Sequence, residues 1–485
     1  MSNQQSQQAV TIPLPKGKKN TVQAGCVCLM MSISMYGLVF FTLTSPILER
    51  VNAMGYVSLF SIFAGLGVSI MTPIGGKLGD IIGRRNIVVI PGIICAIAGI
   101  AFAFARSLPV LMILRLLVGL AQGAFTSAPY IIAGLIHEKK DVPKAMGLLA
   151  TAVALGSFGG SIIAGFLTDM GMLEVAILIP AIPLLLGVVL VGINMPNQKR
   201  EGNVSIDVPG IIALSIALCG ILMALNFGSS MGWTHPAILA GFVIGIAALV
   251  ALMKIEEKAE EPLIPLRLLK NRGYTVLLAV GFIAYFYQTA MNVYSPISTL
   301  QVLKASGTVT GSLQMPRTLI TIVLPTIAGA WVGKKASNSW KAMAFSTGLA
   351  MIPMLMMGFT TPSTSIILYF VAIAITGIAE SFRSVAITPA AQSMLQPSDI
   401  GVGTSLVNFF NSLASTVSAA VFGVVYNNCT ASDPSNAALI QKGVNQVFIT
   451  AAIVSFVGVL IVIFIVRPQM SQKEEGSVKE SRGRP

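Results

Sequence analysis

Long apolar runs separated by short polar segments repeat along the whole chain. A bilayer core about 30 Å thick is crossed by a helix of roughly 20 apolar residues, and the runs are of about that length. Charged residues, Gly or Pro bound them, which predicts fourteen transmembrane helices in an all-α polytopic membrane protein. The predicted helices cover 22–48, 56–76, 86–105, 109–136, 145–168, 175–195, 208–228, 236–253, 273–303, 310–332, 342–360, 364–392, 403–426 and 443–466.

Composition supports this class, because only 10% of the 485 residues are charged and 54% are hydrophobic. A soluble domain has about 25% charged residues. The net charge of +13 comes from bases that flank the apolar runs, so it predicts topology and no nucleic-acid partner. The five cysteines lack metal or disulfide spacing, and no phosphate-binding loop occurs. We therefore expect no metal site, no cofactor and no enzymatic activity.

The distribution of Lys and Arg predicts the orientation. When the N-terminus is placed in the cytoplasm, most of these bases fall in cytoplasmic segments, where they favour retention on that side. The exceptions outside are Arg50, Arg106, Lys304 and Lys442. Both termini are therefore predicted to be cytoplasmic, in a multi-pass protein of the cell (plasma) membrane.

Four ionisable residues fall well inside predicted helices: Arg115, Arg317, Arg383 and Glu380. Ionisable groups at membrane depth normally face a cavity or a partner, which makes them functional candidates. Glu380 and Arg383 are three residues apart on one helix, so a purely structural ion pair is an alternative for them.

Two stretches carry a recognisable pattern. The segment "GKLGDIIGRR" at 76–85 follows the second helix, and "RLLVGLAQGA" at 115–124 lies in the fourth. Together they resemble the major facilitator superfamily. The segments 260–278 and 395–412 resemble its fourteen-helix branch of drug:proton antiporters. The resemblance implies alternating access, a substrate site between two halves, a small-molecule substrate, contact with membrane lipid, proton coupling and a monomer.

The resemblance also implies a domain organisation and a gate. Residues 1–21 and 467–485 would be cytoplasmic tails, 22–195 and 273–466 two six-helix bundles, and 196–272 a linker with two extra transmembrane helices. The implied conformational gate comprises Gly76, Asp80, Gly83, Arg84 and Arg85, with Gly76, Gly79 and Gly83 in a tight turn. Asp80 would face Arg84 or Arg85 and the start of the thirteenth helix near Gly401 and Gly403, and this contact would join the two halves on the cytoplasmic side. Close helix packing is expected at Gly119, Gly123, Gly156 and Gly160.

The candidate substrate and proton-pathway residues are polar groups within the helices: Arg115, Gln122, Gln288, Asn292, Arg317, Glu380 and Arg383. Gln288 and Asn292 share one face of the ninth helix because they are four residues apart. Three residues depart from the antiporter pattern, since Ser161 replaces a proline, Ala164 a glycine and Gly37 an aspartate.

Three functions are compatible with these residues. The first is proton-coupled movement, as in drug or metabolite efflux, of small amphipathic organic molecules. The second is transport, with import as one of the two directions, of an organic anion such as a carboxylate-bearing metabolite or a bile acid, which a cavity with excess arginine would suit. The third is a membrane sensor that binds its ligand without transporting it.

Overall fold

Residues 14–138, 141–198, 207–259, 262–335, 337–396 and 399–470 are described by a computed structural model of the chain. Within these ranges the secondary structure is helical, with fourteen helices long and apolar enough to span a membrane. They are α1 Lys16–Thr42, α2 Met54–Ile82, α3 Asn86–Phe104, α4 Leu108–Ile136, α5 Ala145–Asp169, α6 Leu173–Asn194, α7 Val208–Gly228, α8 Pro236–Lys258, α9 Arg272–Val302, α10 Gly307–Val332, α11 Ser337–Gly358, α12 Ile366–Gln392, α13 Leu406–Thr430 and α14 Ala437–Met470. The predicted fold class and number of helices are confirmed.

Eight helix ends differ from prediction by four to six residues. Seven of them extend a helix into polar residues beyond its apolar run, whereas α1 ends at Thr42 and a separate short helix follows at Thr44–Glu49. Helix α1 begins at Lys16, so 16–21 is helical, and α14 continues to Met470. Helix α2 continues to Ile82, where Gly83 with a φ of +100° ends it. Gly76, Gly79 and Asp80 therefore lie on the helix, and the prediction of a turn that contains all three glycines is wrong. The predicted tail residues 1–13 and 471–485 lie outside the described ranges.

Two spans are interrupted near prolines. Helix α4 consists of Leu108–Phe125 and Ala128–Ile136, and α10 of Gly307–Ser312 and Met315–Val332. In each case a proline stands in the first turn of the second segment, where its missing amide is tolerated. At membrane depth, such breaks are stable only where the freed backbone groups are buried in protein or face a cavity.

Glycines bring equivalent helix pairs together in the two halves of the sequence. A Cβ added to Gly119 of α4 would lie 2.4 Å from the Ala64 carbonyl oxygen of α2. A Cβ added to Gly377 of α12 would lie 2.9 Å from the Arg317 Cα of α10. These two glycines occupy matching positions in "GLAQGAFTSAP" and "GIAESFRSVAITP", so the packing agrees with an internal repeat. The proposed bounds of the two six-helix bundles stay a prediction.

The extra helix α7 packs against both α2 and α13. The buried Asn226 accepts a hydrogen bond from Ser58 of α2 at 2.8 Å, and Ser58 in turn accepts one from Asn427 of α13 at 3.3 Å. After α8, a short helix at Leu266–Leu269 places Arg267 against Asp399, with hydrogen bonds of 3.1 and 2.6 Å. Helix α7 is thus attached to one helix from each half of the sequence, α2 and α13.

The contact at Gly119 predicts that replacement by alanine lowers the stability of the protein at one glycine of α4 and not at another. Gly119→Ala should destabilise the protein, because the new methyl group would overlap the α2 backbone, and overpacking costs about 1–3 kcal/mol. Gly134→Ala is the matched control, since nothing lies within 4 Å of its added Cβ. Thermal unfolding in detergent should show a lower midpoint for Gly119→Ala alone; equal midpoints would contradict the packing described here.

Candidate functional site

A cavity of about 160 Å³ lies between helices from the two halves of the sequence. Helices α1, α2 and α4 form one side, and α9 and α13 form the other. The lining residues are Tyr36, Gly37, Phe41, Ser61, Ala64, Gly65, Val68, Arg115, Val118, Gly119, Gln122, Thr289, Val293, Ser412, Ser415 and Ala419. Arg115 and Gln122 are therefore the two predicted substrate candidates that reach this central cavity.

Arg115 brings a positive charge to the cavity. Its side chain is buried, with 4% exposure, and its guanidinium carbon lies 4.2 Å from the Phe40 ring centroid and 4.9 Å from that of Phe60. Its Nε has no hydrogen-bond partner, and no carboxylate of the described residues forms an ion pair with it. Stacking on rings stabilises a guanidinium without neutralising it. The cation is thus free to attract a negatively charged group.

The remaining polar groups of the cavity are uncharged. Ser412 and Ser415 of α13 supply hydroxyl groups, and the buried Gln122 Nε2 has no hydrogen-bond partner among the described residues. The hydroxyls of Ser61 and Thr289 also line the cavity but donate to carbonyl oxygens of their own helices. Hydroxyls donate and accept hydrogen bonds, whereas an amide nitrogen only donates. The cavity therefore combines aromatic and aliphatic walls with donors that suit an oxygen-rich group. These hydroxyl residues were missed by sequence reasoning, because small hydroxyl residues are equally common at plain helix contacts.

Glu380 and Arg383 form an ion pair on α12. The Arg383 Nε donates to Glu380 Oε2 at 3.0 Å, and its Nη2 donates to Oε1. The Tyr287 hydroxyl of α9 donates to the same carboxylate at 2.9 Å, and the guanidinium lies 4.6 Å from the Tyr285 ring centroid. The predicted alternative of a local ion pair thus matches the geometry, and the pair neutralises the embedded acid.

Arg317 of α10 lies against a different part of α9. Its Nη1 donates to the Asn292 Oδ1 at 3.0 Å, while the buried Oε1 of Gln288 has no hydrogen-bond partner. None of these three residues lines the central cavity, and neither do Glu380 or Arg383. The predicted candidates are consequently divided between the cavity and a polar cluster formed by α9, α10 and α12.

The gate residues lie where α2 turns into α3. Asp80 and Arg84 form an ion pair across one helical turn. Gly83 contacts Asn197, whose Nδ2 donates to the Ile82 carbonyl at 2.9 Å; a Cβ on Gly83 would lie only 2.0 Å from Asn197 Oδ1. Arg85 Nε is buried without a partner. Asn197, which sequence reasoning missed, therefore joins this turn to the end of α6.

The other glycines for which close packing was predicted also make close contacts between helices. Gly156 and Gly160 of α5 approach Met31 and Met35 of α1, and Gly123 of α4 approaches the Val68 backbone of α2. These glycines bring the helices of the first half close enough for direct backbone contact.

The end remote from Asp80 is closed by a carboxylate. Asp169, at the end of α5, accepts hydrogen bonds from the Gly307 and Thr308 amides of α10, at 2.5 and 2.7 Å. The Thr308 hydroxyl donates to it at 2.6 Å, and Gly165 packs directly on the Gly307 backbone. These contacts join α5 of the first half to α10 of the second half. Sequence reasoning missed Asp169 because it stands at a helix end, where carboxylates are usually solvated.

Comparison with known proteins agrees with this architecture. A family model described as "Major Facilitator Superfamily" matches residues 25–419 and 277–484. The multidrug transporter protein MdtP of Bacillus subtilis is 24% identical over 417 residues, which is 85% of this chain and 76% of that protein. The riboflavin transporter RibZ of Clostridioides difficile is also 24% identical, over 81% of this chain and 85% of that protein.

A similar solved structure is that of a peptide transporter POT in complex with sulfate. It superposes with a TM-score of 0.69 at 15% identity and covers 97% of this chain and 99% of that chain. At this identity the likeness concerns the fold.

The Asp169 contact predicts how the closed end opens. Asp169→Ala should raise the alkylation rate of a cysteine placed at Ser412 in the cavity several-fold, because the helix end of α10 loses its charged acceptor. A membrane-impermeant maleimide would be applied from the side that Asp169 faces, with the native cysteines replaced. Asp433→Ala is the control, since among the described residues the Asp433 carboxylate accepts only from the nearby Ser435 amide. Equal rates in the two variants would refute the role of Asp169.

Proposed function

Because the chain belongs to the major facilitator superfamily, whose members and relatives named above are transporters, we propose that it moves a small amphipathic organic anion by alternating access. It is a multi-pass membrane transporter and not an enzyme. The proposal places it in the plasma membrane as a monomer. The single observation that carries the choice of an anion is Arg115, a buried cation of the central cavity without a carboxylate partner among the described residues.

The charge of the cavity favours an anion over a cation. An arginine presents a planar set of donors that matches the two oxygens of a carboxylate. The lining residues include no Asp or Glu, so a cationic drug would meet an unbalanced like charge. Such repulsion is strong where water is scarce, because the effective dielectric constant is low. Of the functions open from sequence, an organic anion therefore fits the cavity better than a cation.

The apolar walls favour an amphipathic molecule over a small inorganic ion. Phe41, Val68, Val118, Val293 and Ala419 line the same cavity as Arg115. Burial of apolar surface contributes about 25 cal/mol per Å² to binding. A molecule with an aromatic or aliphatic body and one carboxylate would satisfy both the walls and the cation. The names of the relatives, a multidrug and a riboflavin transporter, support an organic substrate.

The alternation itself is supported by contacts at both ends of the bundle. Asp169 and the Gly165–Gly307 contact join α5 to α10 at one end. At the other end, Asp80 and Arg84 form an ion pair where α2 turns into α3. A cavity between the halves becomes accessible from one side at a time when such contacts break at one end and form at the other. A sensor without flux would not need contacts that can be exchanged, so transport is the preferred function.

We further propose that Glu380 couples transport to protons. It is the carboxylate closest to the middle of a span among the described residues, and Arg383 and Tyr287 hold it in its charged form. A proton could occupy Glu380 only after this pair separates, so protonation would be linked to movement of α12 relative to α9. Arg317 and Arg383 both interact electrostatically with the carboxylate. Once Glu380 is protonated, these two arginines would be left with excess positive charge.

Arg115→Gln tests the choice of substrate. Uptake of a labelled amphipathic carboxylate into proteoliposomes should fall by at least tenfold, because a lost charge-assisted hydrogen bond costs about 1.5–3 kcal/mol. Uptake of its neutral amide analogue should change little. Arg106→Gln is the control, since Arg106 pairs with Glu174 near a helix end. Unchanged carboxylate uptake by Arg115→Gln would rule out the proposed role.

Glu380→Gln tests the coupling. The variant should bind substrate and exchange it across the membrane, but an imposed pH gradient should no longer drive accumulation, because glutamine cannot take up a proton. Asp207→Asn is a control, as Asp207 caps the start of α7 outside the membrane span. Accumulation driven by the pH gradient in Glu380→Gln would exclude Glu380 as the coupling group.

A further inference from the structure

The loop between α10 and α11 contrasts with the corresponding loop of the first half. The segment "GAWVGKK" at 329–335 parallels the stretch around Asp80, but Gly333 stands where the acid would be. No Asp or Glu occurs between Lys304 and Glu380 in the sequence. In the first half the Asp80 carboxylate pairs with Arg84, whereas Lys334, Lys335 and Lys341 have no nearby acid in sequence. The second loop therefore carries an unbalanced positive charge.

Two of the cations at this end converge on one tryptophan. The Lys341 Nζ lies 5.8 Å from the Trp340 ring centroid, and the Arg467 guanidinium carbon from α14 lies 5.3 Å from it. Arg467 is remote in sequence, so the tertiary structure brings it here. No described carboxylate forms an ion pair with either cation. Lys341 and Arg467 are exposed, while the half-buried Trp340 packs on the apolar cluster that includes Val466.

A local feature of α14 contributes to the position of Arg467. The π-helical turn Val462–Val466 ends directly before it. A π turn contains more residues than an α turn, so it rotates the residues that follow to another face of the helix. Such turns occur frequently at functional sites.

We propose that Trp340, Lys341 and Arg467 form a binding site for the phosphate of an anionic phospholipid headgroup. The three residues stand at the ends of two membrane spans, which is the depth of the headgroups. Tryptophan favours this depth because its ring is apolar and its N–H donates a hydrogen bond. A guanidinium that stacks on a ring keeps its N–H edges available for phosphate oxygens. Basic residues beside a span attract anionic lipid by about 1 kcal/mol each.

Such a lipid would act on the second half of the transporter, independently of the central cavity. Its phosphate would join the start of α11 to the end of α14, two helices that also pack against each other along their length. It would supply the negative charge that Asp80 supplies within the first half.

The test uses Trp340 as the sole tryptophan, with Trp233 and Trp331 replaced by Phe, in phosphatidylcholine nanodiscs. Brominated phosphatidylglycerol should quench Trp340 emission at lower lipid fractions than brominated phosphatidylcholine. The preference is measured as the ratio of the fractions of brominated phosphatidylcholine and brominated phosphatidylglycerol that give equal quenching. In Lys341→Gln/Arg467→Gln this ratio should fall about fivefold for each charge removed. Lys341→Arg/Arg467→Lys should retain it, which separates loss of charge from misfolding.

The matched control is Lys254→Gln/Lys258→Gln, which removes two exposed bases at the end of α8 and should keep the preference. Equal quenching by the two lipids in the parent protein would overturn the proposal, and so would an undiminished preference in Lys341→Gln/Arg467→Gln. A response of Trp340 emission to inorganic phosphate without a preference for phosphatidylglycerol would assign the site to free phosphate and refute the lipid.

Discussion

Water is scarce around the middle of this protein, and the rest of the structure follows from that constraint. A backbone in hydrocarbon must satisfy its own hydrogen bonds, so every span is helical and the interruptions in α4 and α10 are short. A charge in the same region must be paired or must face a polar cavity. Arg383 is paired with Glu380, whereas Arg115 is stacked on Phe40 and Phe60 beside the central cavity. The unpaired cation is thus the feature that distinguishes the cavity chemically.

Close glycine contacts connect this chemistry to movement. Without hydrophobic association between helices in lipid, tight packing depends on small residues that let backbones approach. Gly119 fixes α4 against α2 and so holds Arg115 in place, while Gly165 and Gly307 bring α5 against α10 between the halves. The Gly119 contact holds two helices of the first half together. The second contact, together with Asp169, lies between the halves and is of the kind that must break when the cavity opens to the other side.

The two ends of the protein differ in how their charges are satisfied. At the Asp169 end, a carboxylate binds backbone amides of the opposite half. At the other end, Asp80 forms an ion pair with Arg84, while Lys341 and Arg467 of the second half contact the ring of Trp340 and form no ion pair with a carboxylate of the described residues. Membrane lipid is the most abundant source of a compensating charge at that depth. The anionic lipid that we propose at Trp340 would supply that charge to the second half.

The sequence by itself determined the class, the number of spans and the approximate position of each, because a helix that crosses the bilayer needs an apolar run of about 20 residues. It also identified Arg115 and Gln122, since polar residues are rare at that depth. It did not determine the helix ends that extend into polar residues, as at Lys16 of α1 and Met470 of α14. Only the tertiary structure decided which of the embedded charges compensate one another. The pairing of Glu380 with Arg383 and Tyr287, the contact of Asp169 with α10, and the meeting of Lys341 with Arg467 depend on how helices remote in sequence are placed side by side. Helical periodicity specifies the face of a residue, but the neighbour that this face meets is set by the packing of the whole bundle.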